Sequence, residues 1–170
     1  MIRVLFVCMG NICRSPMAEA VFAYKVKAAG LSNKIEIDSA GTGDWHVGDS
    51  AHPGTLKILK HNSIPYNGRA RHFITKDLTE FDYVLAMDSD NLTHIGRMLN
   101  EVENARVSQF FREGKRPEVR LFLAYANKAG LVDATEVPDP YYTGEFDLVY
   151  SLVEKGSTAL LDHIRTAHNL

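Results

Sequence analysis

The residues best suited to chemistry in this chain are Cys8 and Arg14, which five residues separate near the amino terminus. A cysteine thiolate is a strong nucleophile, and a guanidinium binds phosphate oxygens through two parallel hydrogen bonds. Backbone N–H groups between such a pair can turn inward on one tetrahedral anion, and Gly10 and Asn11 tolerate the left-handed backbone that this requires. The pattern predicts a phosphate-binding loop above a nucleophile. This loop comprises Met9, Gly10, Asn11, Ile12, Cys13, Arg14 and Ser15.

Other uses of Cys8 and Cys13 fit the sequence less well. A structural disulfide is uncommon in a chain with the features of a cytosolic protein. A zinc site usually needs four ligands, but the sequence has no third cysteine, and its seven histidines show no HxxxH or HExxH spacing. The nucleotide-binding patterns GxGxxG and GxxxxGK[ST] are also absent from the sequence. A catalytic loop is therefore the favoured interpretation.

A second motif contains Asp139, which stands between two prolines near the other end of the chain. Proline on both sides stiffens the segment, although the same composition is ordinary for an exposed turn. Cleavage of a phosphate ester through Cys8 needs a proton for the leaving oxygen, which neither a thiolate nor a guanidinium supplies near neutral pH. Asp139 is therefore the candidate general acid. The adjacent Tyr141 and Tyr142 are candidate walls for an aromatic substrate.

The elements that must position these residues alternate between strands and helices. Ser15 is the predicted N-cap of the first helix, with Pro16 at its first position and Glu19 in its first turn. Apolar runs predict strands over residues 2–7, 35–39 and 81–87, and helical spacing predicts helices up to residue 30, over 53–62 and 88–99, and around 148–164. Residues 41–48 and 137–144 are predicted loops, 71–74 an extended segment, and 100–129 shows no clear pattern.

This alternation predicts a parallel sheet with helices on both faces. Ligands of such sheets bind beyond the carboxyl ends of the strands, and the loop after the first strand lies there. Composition agrees with one globular domain over residues 1–170, because 45% of the residues are hydrophobic and the formal net charge is -2. We therefore expect no nucleic-acid or membrane partner. Short apolar runs and a reduced thiol favour the cytoplasm.

The two motifs, VCMGNICRSP at residues 7–16 and DPYY at 139–142, resemble those of the low-molecular-weight protein tyrosine phosphatases. The similarity extends in the right order over nearly the whole chain. It includes residues 38–42, 44–48, 70–71, 81–88 and 91–92. The resemblance implies an α/β fold with a four-stranded parallel sheet and helices on both faces.

The resemblance also implies an activity, the hydrolysis of phosphotyrosine on proteins or of small aryl phosphates, without a metal ion or other cofactor. Cys8 would form a phosphocysteine intermediate, and Arg14 would bind the phosphoryl oxygens. Asp139 would protonate the leaving phenolate and then activate water. Ser15 would donate a hydrogen bond to the Cys8 thiolate. Inorganic phosphate and vanadate are expected to bind in the same loop as inhibitors.

Supporting roles follow from the same resemblance. Asn11, bonded to Ser39, would hold the loop in its strained shape. Cys13 would form a reversible disulfide with Cys8 under oxidation and protect the nucleophile. Family members often carry a histidine behind the loop at the position of Gly68, so the support of this loop is expected to differ here. Residues 100–129 match the family poorly. A surface insertion and a surface that binds a partner are the two interpretations of this segment.

The substrate cleft is expected to be deep, because phosphotyrosine reaches further than phosphoserine. Ile12, Trp45, Tyr141 and Tyr142 are the candidate walls, although Trp45 is also suited to a core position. Some relatives that act on phosphoarginine carry threonine at the Ile12 position, so the bulkier Ile12 favours an aryl phosphate.

Two other functions are compatible with the loop. Arsenate reduction on the same fold needs further thiols to resolve an arsenylated cysteine, and no cysteine follows Cys13. A non-catalytic phosphate or phosphoprotein sensor would keep the loop without an acid, so the presence of Asp139 argues against it.

Overall fold

The computed structural model describes residues 1–105 and 111–170 of the chain. Within them lies a four-stranded parallel sheet, which confirms the predicted α/β fold. Its strands are β1 (Ile2–Cys8), β2 (Ile35–Gly41), β3 (Tyr83–Ala86) and β4 (Glu118–Leu121). They are arranged in the order β2-β1-β3-β4. Apart from Arg3, β1 is apolar because both of its faces are covered.

Helices cover the sheet on both faces, as the alternating pattern predicts. They are α1 (Arg14–Ala28), α2 (Pro53–His61), α3 (Asp77–Glu80), α4 (Ser89–Asn104), α5 (Ala124–Lys128), α6 (Pro140–Thr143) and α7 (Phe146–His168). On one face Phe6 packs edge-on against Phe22 of α1 and against Phe122. On the other face Leu5 and Val7 lie in one apolar cluster with the buried side of α4. Neighbouring residues of β1 thus serve separate core layers.

The carboxyl ends of the strands meet at one edge of the sheet. Cys8 lies beside Gly41 of β2, and Val7 lies beside Ala86 of β3. The chain after α5 returns to this edge, where the Val137 N–H donates to the Met87 carbonyl at 2.8 Å. This backbone bond brings the second motif next to the turn that follows β1.

The predicted start of the first helix is wrong. Helix α1 begins at Arg14, and Cys13 is its N-cap, without a side-chain hydrogen bond. Ser15 lies inside the first turn because its hydroxyl contacts the Cys8 sulfur and Asn11. Glu19 consequently lies beyond the first turn rather than within it.

The segment 137–144 also departs from its prediction. It contains the short helix α6, which the Asp139 side chain caps by accepting a hydrogen bond from the Tyr141 N–H at 3.1 Å. A proline at the first position of α6 suits a helix start as well as a stiff loop. Of the segment 100–129, residues 106–110 lie outside the described residues, whereas the remainder includes β4 and α5. No helix among the described residues has the length and apolar character needed to cross a membrane.

Candidate active site

The turn between β1 and α1 is held by an unusual backbone conformation at Asn11. Its φ is 54°, in the left-handed region that asparagine tolerates better than most residues. The expected left-handed backbone at Gly10 is wrong, because Gly10 does not have a positive φ. A Cβ there would instead lie 3.1 Å from the His46 ring. Glycine thus lets His46 approach the loop.

The backbone of this turn retains free donors. Among the described residues, the N–H groups of Gly10, Ile12 and Cys13 donate no hydrogen bond to a protein acceptor. Ile12 and Cys13 are nevertheless buried. Buried donors without a protein partner suit an anion that completes their bonding, as the sequence pattern predicts.

The Cys8 sulfur is buried and contacts two groups of the loop. The Asn11 N–H donates to it at 3.2 Å, and Ser15 Oγ lies 3.0 Å away. Hydrogen bonds of this kind stabilise a thiolate over a thiol. The predicted pairing of Ser15 with Cys8 is therefore present in the geometry.

Asn11 is tied to its surroundings through its whole amide group. Its Nδ2 donates to Ser15 Oγ at 2.8 Å and to Ser39 Oγ at 2.9 Å. Its Oδ1 accepts from the Arg71 N–H at 2.9 Å. The structure brings Asn11 and Ser39 together as expected, and it adds a backbone contact to Arg71 that the sequence did not suggest.

Behind Ser39 lie two residues that sequence reasoning missed, Glu19 and Tyr66. Ser39 Oγ and the Tyr66 hydroxyl donate to the same Glu19 oxygen, Oε2, at 2.6 Å and 3.0 Å. The Tyr66 side chain occupies the space beside Gly68, because a Cβ at Gly68 would collide with the Tyr66 hydroxyl. A tyrosine from two positions earlier thus occupies the space that a side chain at position 68 would enter.

Arg14 lies almost fully buried at the edge of the cleft, in contact with three acceptors. Its Nη1 donates to Asp88 at 2.6 Å and to the Val137 carbonyl at 3.1 Å, and its Nη2 donates to Asp139 at 3.1 Å. Burial opposes its charge, but the Cys8 sulfur, Asp88 and Asp139 outweigh burial and raise the pKa of Arg14 above its ordinary value. The guanidinium is therefore cationic and fixed in orientation.

Asp88 is a third residue that the sequence did not assign to the site. It caps α4 by accepting from the Asn91 N–H at 2.8 Å, and its other oxygen receives Arg14. The same carboxylate thus starts a helix and orients the guanidinium. An aspartate at a strand-to-helix boundary reads as an ordinary cap, so the sequence gives no separate signal for the second contact.

Asp139 lies at the mouth of the loop, next to Arg14. One of its oxygens receives Arg14 Nη2, and the other receives the Tyr141 N–H. The structure therefore brings Cys8, Arg14 and Asp139 into one cleft, although Arg14 and Asp139 lie 125 positions apart in the chain. A carboxyl group in this position can exchange a proton with an oxygen bound to the phosphoryl group.

The cleft above the loop has a volume of about 440 Å³. Its lining includes Ile12, Trp45, His46, Tyr141 and Tyr142, besides the loop and Asp139. Trp45 is 62% exposed, which excludes its alternative interpretation as a core residue. The rings of Tyr141 and Tyr142 meet edge to face, with centroids 5.3 Å apart.

His46 was not assigned by the sequence and lines the cleft together with Trp45. Its Nδ1 lies 2.9 Å from Asp49, an exposed carboxylate of the same loop. His46 lies in the segment 44–48 that resembles the family, but its approach to Gly10 becomes visible only in the fold.

Cys13, the predicted redox partner, is a buried free thiol. Burial, reinforced by the neighbouring Cys8 and Asp139, raises the pKa of the Cys13 thiol to about 12, against a smaller opposing effect of Arg14. Cys13 is therefore neutral at physiological pH. Within residues 1–105 and 111–170, no group of three or more His, Cys, Asp or Glu side chains is arranged to hold a metal ion.

Comparison with known proteins agrees with this geometry. A family model described as low molecular weight phosphotyrosine protein phosphatase matches residues 3–169. A Bacillus subtilis protein, low molecular weight protein-tyrosine-phosphatase YfkJ, is 41% identical over 171 residues and covers 100% of both chains. A low molecular weight phosphotyrosine protein phosphatase of Schizosaccharomyces pombe is 47% identical over 144 residues, which are 84% of this chain and 83% of that protein.

Solved structures give the same result. The crystal structure of YfkJ superposes with a TM-score of 0.86 at 40% identity, covering 99% of this chain and 97% of that one. The crystal structure of DARP, described as a Drosophila arginine phosphatase, superposes with a TM-score of 0.83 at 28% identity, covering 97% and 98% of the two chains. Because DARP is described as an arginine phosphatase, similarity of fold alone does not identify which phosphorylated residue is the substrate.

Proposed function

Since this chain belongs to the low molecular weight phosphotyrosine protein phosphatase family, we propose that it hydrolyses phosphotyrosine on proteins through a phosphocysteine on Cys8. The observation that carries this proposal is the convergence of three groups in one cleft. Cys8 receives two hydrogen bonds within the loop, and Arg14 and Asp139 contact each other above it. Nucleophile, phosphate-binding cation and proton carrier are thus in reach of one phosphoryl group.

In the first step the Cys8 thiolate attacks phosphorus. The S–P bond forms while the bond from phosphorus to the phenolic oxygen breaks, and protonated Asp139 gives its proton to that oxygen. Arg14 and the free N–H groups of the loop bind the equatorial oxygens, whose charge spreads in the transition state. Contacts with Asp88 and the Val137 carbonyl hold one edge of the guanidinium, so it needs no reorientation.

In the second step water attacks the phosphocysteine. Asp139, now ionised, takes a proton from the water, the S–P bond breaks, and inorganic phosphate leaves. The Ser15 hydroxyl and the Asn11 N–H stabilise the returning Cys8 thiolate. Residues 1–170 act as one domain in this reaction, which requires no metal ion or cofactor.

The walls of the cleft support an aryl phosphate as the substrate. Trp45, Tyr141 and Tyr142 present aromatic surface on which a phenyl ring stacks. Ile12, buried at the base, adds apolar surface where a guanidinium would prefer a polar group. These residues favour phosphotyrosine over phosphoarginine.

Three further properties belong to the proposal. Phosphate and vanadate inhibit by binding in the loop. Peroxide oxidises the Cys8 thiolate to a sulfenic acid, and the Cys13 thiol condenses with it to a disulfide with release of water; a thiol such as dithiothreitol reduces that disulfide. The enzyme works in the cytoplasm, where thiols are kept reduced.

Hydrolysis of para-nitrophenyl phosphate in the presence of a chelator tests the proposal. The wild type should be active, Cys8→Ser inactive, and Asp139→Ala strongly slowed, because the first variant lacks the nucleophile and the second the acid. A phosphotyrosine peptide and a phosphoarginine peptide of equal sequence then separate the two substrate classes. Equal rates of wild type and Cys8→Ser would end the proposed mechanism, and an equal preference for both peptides would remove the assigned specificity.

A further inference from the structure

Tyr66 lies behind the phosphate loop and has no place in the reaction described so far. Its hydroxyl donates to Glu19 Oε2 at 3.0 Å, on the oxygen that also receives Ser39 at 2.6 Å. Burial, reinforced by Glu19, raises the pKa of Tyr66 above its ordinary value. The phenol therefore keeps its proton at neutral pH and can only donate to the carboxylate.

The direction of the next bonds follows from the number of hydrogens. The Ser39 hydroxyl has one hydrogen, which Glu19 receives, so Ser39 Oγ acts as the acceptor for Asn11 Nδ2 at 2.9 Å. The Arg71 N–H occupies Asn11 Oδ1 and fixes which end of the amide faces Ser39. The second hydrogen of Asn11 Nδ2 therefore goes to Ser15 Oγ, at 2.8 Å.

The chain ends on the nucleophile. Because Ser15 Oγ accepts from Asn11, its own hydrogen is left for the Cys8 sulfur at 3.0 Å or for the Ala40 carbonyl at 3.5 Å. The sulfur is the nearer of the two, although sulfur is the larger atom. Burial raises the pKa of Glu19, whereas its hydrogen bonds from Ser39 and Tyr66 oppose this rise. When Glu19 is ionised, Asn11 donates to both Ser39 and Ser15, Ser39 donates to Glu19, and Ser15 donates to Cys8.

We propose that Tyr66 is a positioning residue of the phosphatase reaction, which acts by holding the Glu19 carboxylate as the fixed acceptor of the chain Ser39–Asn11–Ser15 that ends on Cys8. This inference rests on the proposed function and names a residue that supports the same nucleophile. The hydroxyl of Tyr66 supplies one of the two donors on Glu19 Oε2. Without it the partly buried carboxylate is less well stabilised, and Ser39 loses a well-defined acceptor.

Gly68 leaves room for the hydroxyl that donates this hydrogen bond. A Cβ at this position would collide with the Tyr66 hydroxyl, and the backbone of Gly68 does not need positive φ. The substitution Gly68→Ala therefore displaces the hydroxyl without deleting it and without straining the chain. It provides a second way to disturb the same hydrogen bond.

The test compares Tyr66→Phe with Tyr125→Phe. Tyr125 is a matched control because its hydroxyl also donates to a glutamate, Glu118, at 2.9 Å, and that glutamate is not part of the chain that ends on Cys8. We expect Tyr66→Phe to lower kcat on para-nitrophenyl phosphate roughly three- to ten-fold with little change in KM, as loss of one hydrogen bond allows. Tyr125→Phe should have the kcat and KM of the wild type. Gly68→Ala should show the same fall in kcat as Tyr66→Phe.

The rate at which Cys8 is alkylated distinguishes a positioning role of Tyr66 from a merely structural one. Iodoacetate should modify Cys8 more slowly at pH 6 in Tyr66→Phe than in wild type and at an equal rate at pH 9, because weaker donors favour the thiol over the thiolate. Alkylation does not require turnover, so it tests the role of Tyr66 independently of the proposed function. Equal activity of the wild type and Cys8→Ser would overturn the proposed function but would leave this test of Tyr66 valid.

A double variant tests whether the effect travels through the chain. In a Ser15→Ala background only the Asn11 N–H still connects the chain to Cys8, so adding Tyr66→Phe should change kcat and the alkylation rate at pH 6 less than it does in the wild type. Either of two results overturns the inference. One is that Tyr66→Phe and Tyr125→Phe have equal kcat and equal alkylation rates, and the other is that Tyr66→Phe has the same effect with and without Ser15.

Discussion

The floor of the cleft and its walls differ in how firmly they are held. The floor consists of Cys8, Asn11, Arg14 and Ser15, all at most 3% exposed, and each of these side chains makes at least one hydrogen bond. The walls consist of Trp45, Tyr141 and Tyr142, which are 62%, 57% and 73% exposed. Their rings contact one another or the rings of His46 and His52.

This difference separates two tasks. A floor whose donors are already fixed loses little energy to reorganisation when phosphate charge develops, which is what electrostatic catalysis requires. Walls with few contacts can change or move at little cost to folding, so they suit the adjustment of substrate choice. A change in the floor should therefore act on kcat, and a change in the walls should act on KM.

The largest effect is expected for Arg14→Lys. Lysine keeps the charge but is a point donor, so it cannot bind Asp88 and Asp139 while presenting two parallel donors to phosphate. We expect kcat to fall about 100-fold or more, on the scale of a lost transition-state donor. Steady-state kinetics on para-nitrophenyl phosphate measures it.

Arg3→Lys is the matched control for this change. Arg3 also lies between two carboxylates, Glu36 and Glu80, each at 2.8 Å, but at the opposite end of β1. Its loss should leave kcat intact. A similar fall in kcat for both variants would mean that general damage to the strand, not the guanidinium in the cleft, explains the result.

The sequence predicts the floor well because its parts are close together in the chain. Cys8 and Arg14 belong to one turn, and the spacing between them is itself the geometric requirement. Asp139 was assigned on chemical need and on the resemblance, since nothing local distinguishes it from a turn residue. The α/β fold followed from the alternation of apolar patterns, which depends on burial alone.

Glu19, Tyr66 and Asp88 could not be predicted, because their roles are tertiary. Tyr66 reaches Glu19 across 47 positions, and Asp88 reaches Arg14 across 74. Each carries a plausible local interpretation, such as helix cap or surface residue, that hides its second contact. The wrong helix start has the same origin, since the Ser15 hydroxyl serves the Cys8 sulfur instead of a cap.

A smaller effect is expected for Trp45→Ala in the wall. Removal of one stacking surface should raise KM for a phosphotyrosine peptide roughly two- to ten-fold, while kcat changes little. The free energy of unfolding should stay nearly constant because the ring is largely exposed. Peptide kinetics and urea unfolding measure the two quantities.

Val47→Ala controls for the loop that carries Trp45. Val47 is also exposed, at 56%, but does not line the cleft. Its KM should equal that of the wild type. If Trp45→Ala lowered kcat with an unchanged KM, the division between floor and walls would be wrong for this residue.

The smallest effect concerns Cys13, which is nearly as buried as the floor, at 4% exposed. Its thiol has a pKa raised from 9.0 to about 12, chiefly by burial. The unfolded chain ionises this thiol above pH 9 while the folded chain does not, so the unfolded state binds fewer protons and stability falls as pH rises from 9 towards 12. Cys13→Ser lacks this titration, whereas other buried groups affect both proteins alike.

Above pH 9 the unfolding free energy of the wild type should therefore fall, relative to that of Cys13→Ser, by up to about 1.4 kcal/mol for each pH unit. Urea unfolding at pH 8, 9 and 10 with a reductant present measures it. A difference that stays constant over this range would show that the thiol ionises in the folded protein as readily as in the unfolded one. Cys13 would then be open to the cleft like the walls, and it would compete with Cys8 for oxidants and alkylating agents instead of waiting as a neutral partner.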